Sequence, residues 1–300
     1  MIRLGLCCLF REEPITFRST TARYLTGFPR PERLARLSAL CLHNARSLGQ
    51  ALGYAAAHGI GAFRALSQFF PLYTHPELGY GLDELPAASA IRVELAQIAR
   101  FRAAHGLRLS FHPDQFIVLS SPKPEVAANA GRELAYQTLV AELVGAEVIN
   151  VHAGGAYGNK QEALARFAKH FRELPEGVRS RLTVENDDRT FTVRDLLPLC
   201  AETGIPLVYD VHHHRCLPDG LSEGEATRLA AATWERTGRE PYFHLSSPRH
   251  GWGSGRPRPH ADYIDPADFP ACWRGLDATV DVEAKAKELA VRRLKRDLSL

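Results

Sequence analysis

The sequence predicts a single α/β domain spanning residues 1–300, folded as a (β/α)8 TIM barrel. Three observations carry that expectation. First, eight short, nearly continuously apolar runs recur along the chain, at residues 2–9, 62–67, 108–112, 147–152, 181–185, 206–211, 242–246 and 279–283. Parallel strands covered on both faces read this way, whereas half-exposed strands alternate apolar and polar residues. Second, helix-like stretches separate these runs, among them 88–104, 125–144 and 194–202. Third, glycine closes several of the helices, in the pairs His58-Gly59, His105-Gly106 and Thr203-Gly204, which is where a left-handed cap belongs. Eight strands alternating with helices need roughly 250 residues as a barrel. The chain has 300, and the spare length falls in loops at 14–31, 69–86 and 247–266. A doubly wound open sheet is the alternative architecture.

The elements follow in order. The first strand is expected over 2–9. The second, 62–67, is interrupted by Arg64 and is the least regular of the eight. The third and fourth carry Ser110-Phe-His112 and Asn150-Val-His152 at their ends. Pro124 opens the helix between them, a residue suited to the first helical turn. The fifth ends in Val184-Glu185 and the sixth in Tyr209-Asp210, with His212, His213 and His214 just beyond. The seventh and eighth supply His244 and Glu283.

Composition narrows the function classes. There are 37 basic and 34 acidic residues, a formal charge of +3, which permits a nucleic-acid partner without arguing for one. No apolar stretch reaches the roughly 20 residues that span a bilayer. The start lacks the basic flank and cleavage site of a secretion signal, so a cytoplasmic protein with no membrane association is expected. The six cysteines form no C-x-x-C pair and are expected to be reduced packing residues.

Six consecutive strands thus end in His, His, Glu, Asp, His and Glu. The C-terminal ends of barrel strands converge on one mouth. Carboxylates gathered there without a counter-charge would repel and raise one another's pKa. Divalent cations remove the conflict, and mixed imidazole and carboxylate donors suit Zn²⁺, Mn²⁺, Fe²⁺ or Co²⁺. This many donors exceed one tetrahedral shell and imply two or three ions, an arrangement matched to in-line phosphoryl displacement. Among the three adjacent histidines, spacing does not choose which ring points inward.

With these residues in place, the chain resembles the UV damage endonuclease family of DNA repair enzymes. The resemblance rests on Met1-Ile-Arg-Leu-Gly5, Ser110-Phe-His-Pro-Asp-Gln-Phe116, Val151-His-Ala-Gly-Gly-Ala-Tyr-Gly158, Val184-Glu-Asn-Asp187, Asp210-Val-His-His213, His244-Leu-Ser246 and Val282-Glu-Ala-Lys-Ala-Lys-Glu288, in an order that runs nearly the whole length. It implies a barrel of the xylose-isomerase and abasic-endonuclease type. It also implies cleavage of the phosphodiester 5′ to a damaged nucleotide in duplex DNA. The metal ligands it implies are His112, His152, Glu185, Asp210, His213, His244 and Glu283, with His260 and His75 added; it thereby selects His213 from the three. The ions would be manganese, with zinc, cobalt and magnesium as alternatives. Glu283, His260 and Lys285 are the expected catalytic groups, Lys285 because an ammonium there could stabilise charge on the reacting phosphate.

DNA contact is expected at the Gln115-Phe116 pair, at Tyr157 in a glycine-rich turn, and at Arg249, Trp252 and Arg256 in the 247–258 loop. Arginine suits phosphates and aromatic rings suit base faces. The enzyme is expected to act as a monomer on damaged double-stranded DNA. Several positions depart from the family: Tyr242 stands where a modifiable lysine is common, Leu6 and Phe10 replace tyrosine and asparagine, and Phe116 replaces tyrosine. Two other functions fit a metal-lined barrel. One is a sugar isomerase or epimerase, which would want a closed, small pocket. The other is a nucleic-acid-binding barrel whose chemistry has lapsed.

Overall fold

The computed structural model describes residues 1–300. Eight strands close into one barrel in sequence order: β1 Ile2–Cys7, β2 Ala62–Ala65, β3 Arg108–Phe111, β4 Val148–His152, β5 Leu182–Glu185, β6 Leu207–Asp210, β7 Tyr242–Leu245 and β8 Ala278–Val282. All neighbours are parallel, and β8 returns to β1 with Ile2 opposite Ala278 and Gly5 opposite Asp281. Each predicted strand is present. The first is shorter than its apolar run because Cys8 adopts a left-handed φ of 65°, turning the chain while its N–H donates to the Arg64 carbonyl.

Ten helices accompany the strands: α1 Ala22–Leu25, α2 Arg30–Ala57, α3 Ala88–Ala104, α4 Pro124–Val144, α5 Lys160–Glu173, α6 Glu176–Arg179, α7 Val193–Thr203, α8 Val211–Cys216, α9 Glu223–Ala232 and α10 Glu288–Asp297. Their ends follow local chemistry. In α7, Thr192 and Asp195 cap each other's backbone N–H, and Gly204 closes the helix at φ 77°, as a capping box and a left-handed cap should. No helix is long and apolar enough to cross a membrane.

One cluster of 71 buried residues forms the main core, joining strands and surrounding helices. The inside of the barrel differs from the branched aliphatic filling common in this fold. Arg108 spans its floor, donating to Thr279 Oγ1 and to the Glu240 carbonyl, both at 2.9 Å. Beside it, Val148, Val208, Trp234 and Tyr242 form a small apolar cluster of their own. Higher up the interior is polar, and that polarity leads to the mouth.

Candidate metal centre

Strand pairing places the polar strand ends side by side: His152 opposite Glu185 and Asp210 opposite His244, with His112 and Glu283 one residue beyond β3 and β8. Glu185 is the hub and is 1% exposed. Its carboxylate lies 3.1 Å from His112 Nε2 and 3.1 Å from His213 Nδ1. It also lies 3.2 Å from His244 Nδ1. Asn150 donates to it at 2.5 Å and is itself held by the Thr183 hydroxyl at 3.0 Å. His244 Nδ1 also faces Glu283 at 3.4 Å and Asp210 at 4.0 Å.

These donors form three overlapping sets, His112–His152–Glu185, Glu185–Asp210–His213 and Asp210–His244–Glu283, whose ligand atoms lie within 4.8 Å of one another in each set. Several atoms aimed into the cluster have no hydrogen bond: Glu185 Oε1, Asp210 Oδ2, His152 Nδ1 and His244 Nδ1. Buried polar atoms are ordinarily paired; unpartnered ones occur elsewhere in the chain too, but here four of them sit on good metal donors gathered at one place, which fits cation binding. The electrostatics agree. Burial raises the Glu185 carboxyl, yet the imidazoles of His244 and His152 overcome it and hold the group well below its usual range. Burial lowers His244, but Glu185 carries it up to about 9. His152, where burial dominates, is lowered.

The three adjacent histidines are sorted by α8. Asp210 caps this helix, its side chain accepting the His213 N–H at 2.8 Å, and the following turn distributes the rings. His213 turns back to Glu185 and Asp210. His212 contacts the Arg258 carbonyl at 3.2 Å. His214 faces away, bonded to the Tyr209 hydroxyl at 2.6 Å and near Asp219.

The remaining expected residues are placed less uniformly. His260 stands at the rim, 3.6 Å from Glu283, on a strand-like bridge to Pro248. His75 stands outside the three donor sets. It lines a neighbouring cavity of about 280 Å³ with Asp114 and Phe116, and its Nδ1 accepts backbone N–H groups of Glu77 and Leu78. Lys285 is exposed and makes no ion pair with the cluster. Gln115 and Phe116 line the cavity above the donors, of about 500 Å³, and Phe116 is 77% exposed. Trp252 lies against His212 at 5.1 Å between ring centres, its indole N–H donating to Asp268. Arg249 and Arg256 are exposed in the same loop. Tyr157 is half exposed with Arg166 over its ring. In its turn, Gly154 has φ 88°, and a Cβ there would meet Val118 and Ser120 within 2.7 Å. Close packing therefore accounts for that glycine.

Tyr242 belongs to the small apolar cluster and precedes His244 by two residues on β7. The Arg108 guanidinium covers its ring at 4.1 Å, and its hydroxyl has no partner. Burial raises the phenol above its ordinary value, so it is a neutral packing residue in this structure. Two inward groups escaped sequence reasoning. Arg64, the irregularity of the second strand, pairs with Glu283 at 2.5 Å. Asp281, two residues before Glu283, is 1% exposed. Period-two spacing from Glu283 was the signal for Asp281.

Comparison with known proteins adds an independent line. The family model described as UV-endonuclease UvdE matches residues 2–300. The chain is 37% identical to a UV DNA damage endonuclease of Bacillus velezensis over 97% of its own length and 91% of the relative's. It is similar in structure to SacUVDE, with a TM-score of 0.86, 27% identity, and coverage of 100% and 99% of the two chains. Endonuclease IV from Thermus thermophilus superposes with a TM-score of 0.61 at 20% identity, covering 99% and 97%. At that identity the likeness is one of fold.

Proposed function

Because the chain belongs to the UV-endonuclease UvdE family, we propose that it is a divalent-metal-dependent endonuclease. On this reading it hydrolyses the phosphodiester 5′ to a damaged nucleotide in duplex DNA, leaving a 3′-hydroxyl. The observation that supports it best is the set of orphaned donors on Glu185, Asp210, His152 and His244, gathered from four strands at one mouth. His112, His152, Glu185, Asp210, His213, His244 and Glu283 would hold two or three ions, manganese first, with His260 joining at the rim and His75 from the adjoining cavity. When bound, such ions supply Lewis-acid polarisation of phosphoryl oxygens and lower the pKa of a nucleophilic water.

The chain's own groups do the rest. Asn150 and Thr183 fix the Glu185 carboxylate, so the hub does not reorganise when substrate arrives. Phe116 is free to stack on an exposed base face beside the mouth, with Gln115 next to it. Arg249 and Arg256 would take backbone phosphates, while Trp252 and Tyr157 offer rings at the rim. Lys285 is exposed in this structure, so its assigned role at the reacting phosphate requires it to be drawn in by the DNA. The enzyme is read as a cytoplasmic monomer.

A sugar isomerase is disfavoured by the mouth itself. Its cavity of about 500 Å³ carries exposed Gln115 and Phe116 among its lining residues, and it lacks the enclosure a small polar substrate would need.

The test is nicking of ultraviolet-irradiated supercoiled plasmid with Mn²⁺, with end-labelled duplex to map the cut. The intact protein should nick only with metal. Glu283→Gln should lose nicking while retaining binding to irradiated DNA. Undiminished nicking in a chelator would overturn metal dependence, and full activity in Glu283→Gln would remove that residue from the chemistry.

A further inference from the structure

Directly beneath the donor cluster lies one carboxylate that the proposed chemistry does not use. Asp281 is the register partner of His244 across β7 and β8 and is 1% exposed. Its Oδ1 has no hydrogen-bond partner; its one ion-pair contact is the His244 ring, with Oδ2 3.8 Å from Nε2, and Arg64 acts on it from further off. The opposite ring nitrogen, Nδ1, looks up into Glu185 and Glu283 at 3.2 and 3.4 Å. His244 therefore stands between a carboxylate below and the donor cluster above.

The first strand is shaped around the same group. Gly5 is the register partner of Asp281 on its other side, and a Cβ at Gly5 would lie 2.1 Å from Asp281 Oδ1. Glycine loosens a strand interior and commonly marks a close approach; here the approaching group is the carboxylate. A buried, incompletely paired carboxylate is costly, which makes simple space-filling a poor account of it.

We propose that Asp281 is a positioning residue for the metal centre. It faces His244 Nε2 at 3.8 Å; closing that gap to hydrogen-bond distance lets it accept the Nε2–H and present the Nδ1 lone pair to an ion shared with Asp210 and Glu283. A neutral imidazole carries one N–H, and the partner of one nitrogen decides which nitrogen is left to bind metal. This inference rests on the metal reading above and assigns a role to a residue outside its ligand set.

The experiment measures Mn²⁺ affinity and stoichiometry by electron paramagnetic resonance on the full chain and on Asp281→Asn, Asp281→Ala and Gly5→Ala, each also melted in chelator. Asp281→Asn keeps the shape but offers an amide N–H to Nε2, favouring the tautomer whose proton blocks Nδ1. Losing such an outer partner typically weakens metal binding about 10–100-fold. That loss is expected at one ion, with binding of irradiated DNA in chelator unchanged and the metal-free melting temperature of Asp281→Asn not lowered. Gly5→Ala, by displacing the carboxylate, should show the same loss.

Parent-like Mn²⁺ affinity in Asp281→Asn overturns the positioning role. A lowered metal-free melting temperature in that variant also overturns it, because the carboxylate would then be holding the fold. A parent chain that binds no Mn²⁺ sinks the metal centre itself, a separate and distinguishable result.

Discussion

Arg64 and Glu283 form a buried ion pair across the top of the barrel, Nη1 to Oε1 at 2.5 Å, with 12% and 14% of their side chains exposed. The arginine occupies one oxygen of a carboxylate that also faces His244 and, through its other oxygen, His260. Among the protein's own groups, Arg64 is thus the counter-charge that keeps Glu283 ionised. Burial raises the Glu283 carboxyl, but Arg64 and His244 overcome it and hold the group far below its usual range.

Removing Arg64 should therefore cost most when no ion is present. Arg64→Met leaves Glu283 buried without its strongest partner, a change worth about 3–5 kcal/mol. Bound cations would supply the missing positive charge. Urea unfolding of parent and variant should show the full loss in chelator and a clearly smaller one in saturating Mn²⁺. Equal losses under both conditions would mean that Glu283 does not meet the metal.

Phe116 is predicted to act on DNA and on nothing else. It is 77% exposed, so Phe116→Ala should leave melting temperature and metal content at parent values. Stacking on a base contributes about 1–3 kcal/mol, so binding to irradiated duplex should weaken by about five- to 150-fold. Fluorescence anisotropy with irradiated and intact duplexes measures this.

Tyr242→Phe separates packing from ligation. The hydroxyl is buried and unpartnered, and deleting such a group is close to neutral or mildly stabilising, within about 1 kcal/mol. Metal stoichiometry should be unchanged. Loss of one ion per chain in elemental analysis of this variant would make the phenol a ligand after all.

The cysteines should divide by burial. Desolvation pushes Cys41 and Cys200 up to about 12, whereas Cys272 is exposed. Thiolate is the reactive form, and the two buried thiols have it at only about one part in ten thousand at pH 8. A colorimetric thiol reagent at that pH should label Cys272 in the folded protein and reach Cys41 and Cys200 only in denaturant, with mass spectrometry assigning the sites.

The barrel was legible because buried parallel strands are continuously apolar, and because the mouth breaks that rule at six strand ends in succession. Two kinds of information were not. Choosing His213 from its neighbours depends on α8 starting at Asp210, since a helical turn and a continued strand send those rings in different directions. Arg64 looked like a fault in its strand, and Asp281 drew no reading at all. Their meaning is a partner in a distant segment, Glu283 for one and His244 for the other, and no local pattern carries such a pairing. Lys285 shows the opposite limit: adjacency in sequence to Glu283 carries no ion pair with the cluster, and the side chain is exposed.

The central claim is that side chains from β3 to β8 meet around shared cations. Anomalous diffraction at the manganese edge, from crystals grown with Mn²⁺, tests it most directly. Two or three peaks are expected, each within coordinating distance of Glu185, Asp210 or Glu283 and of at least one of His112, His152, His213 and His244. A map with no peak among those groups, at full manganese concentration, would contradict it.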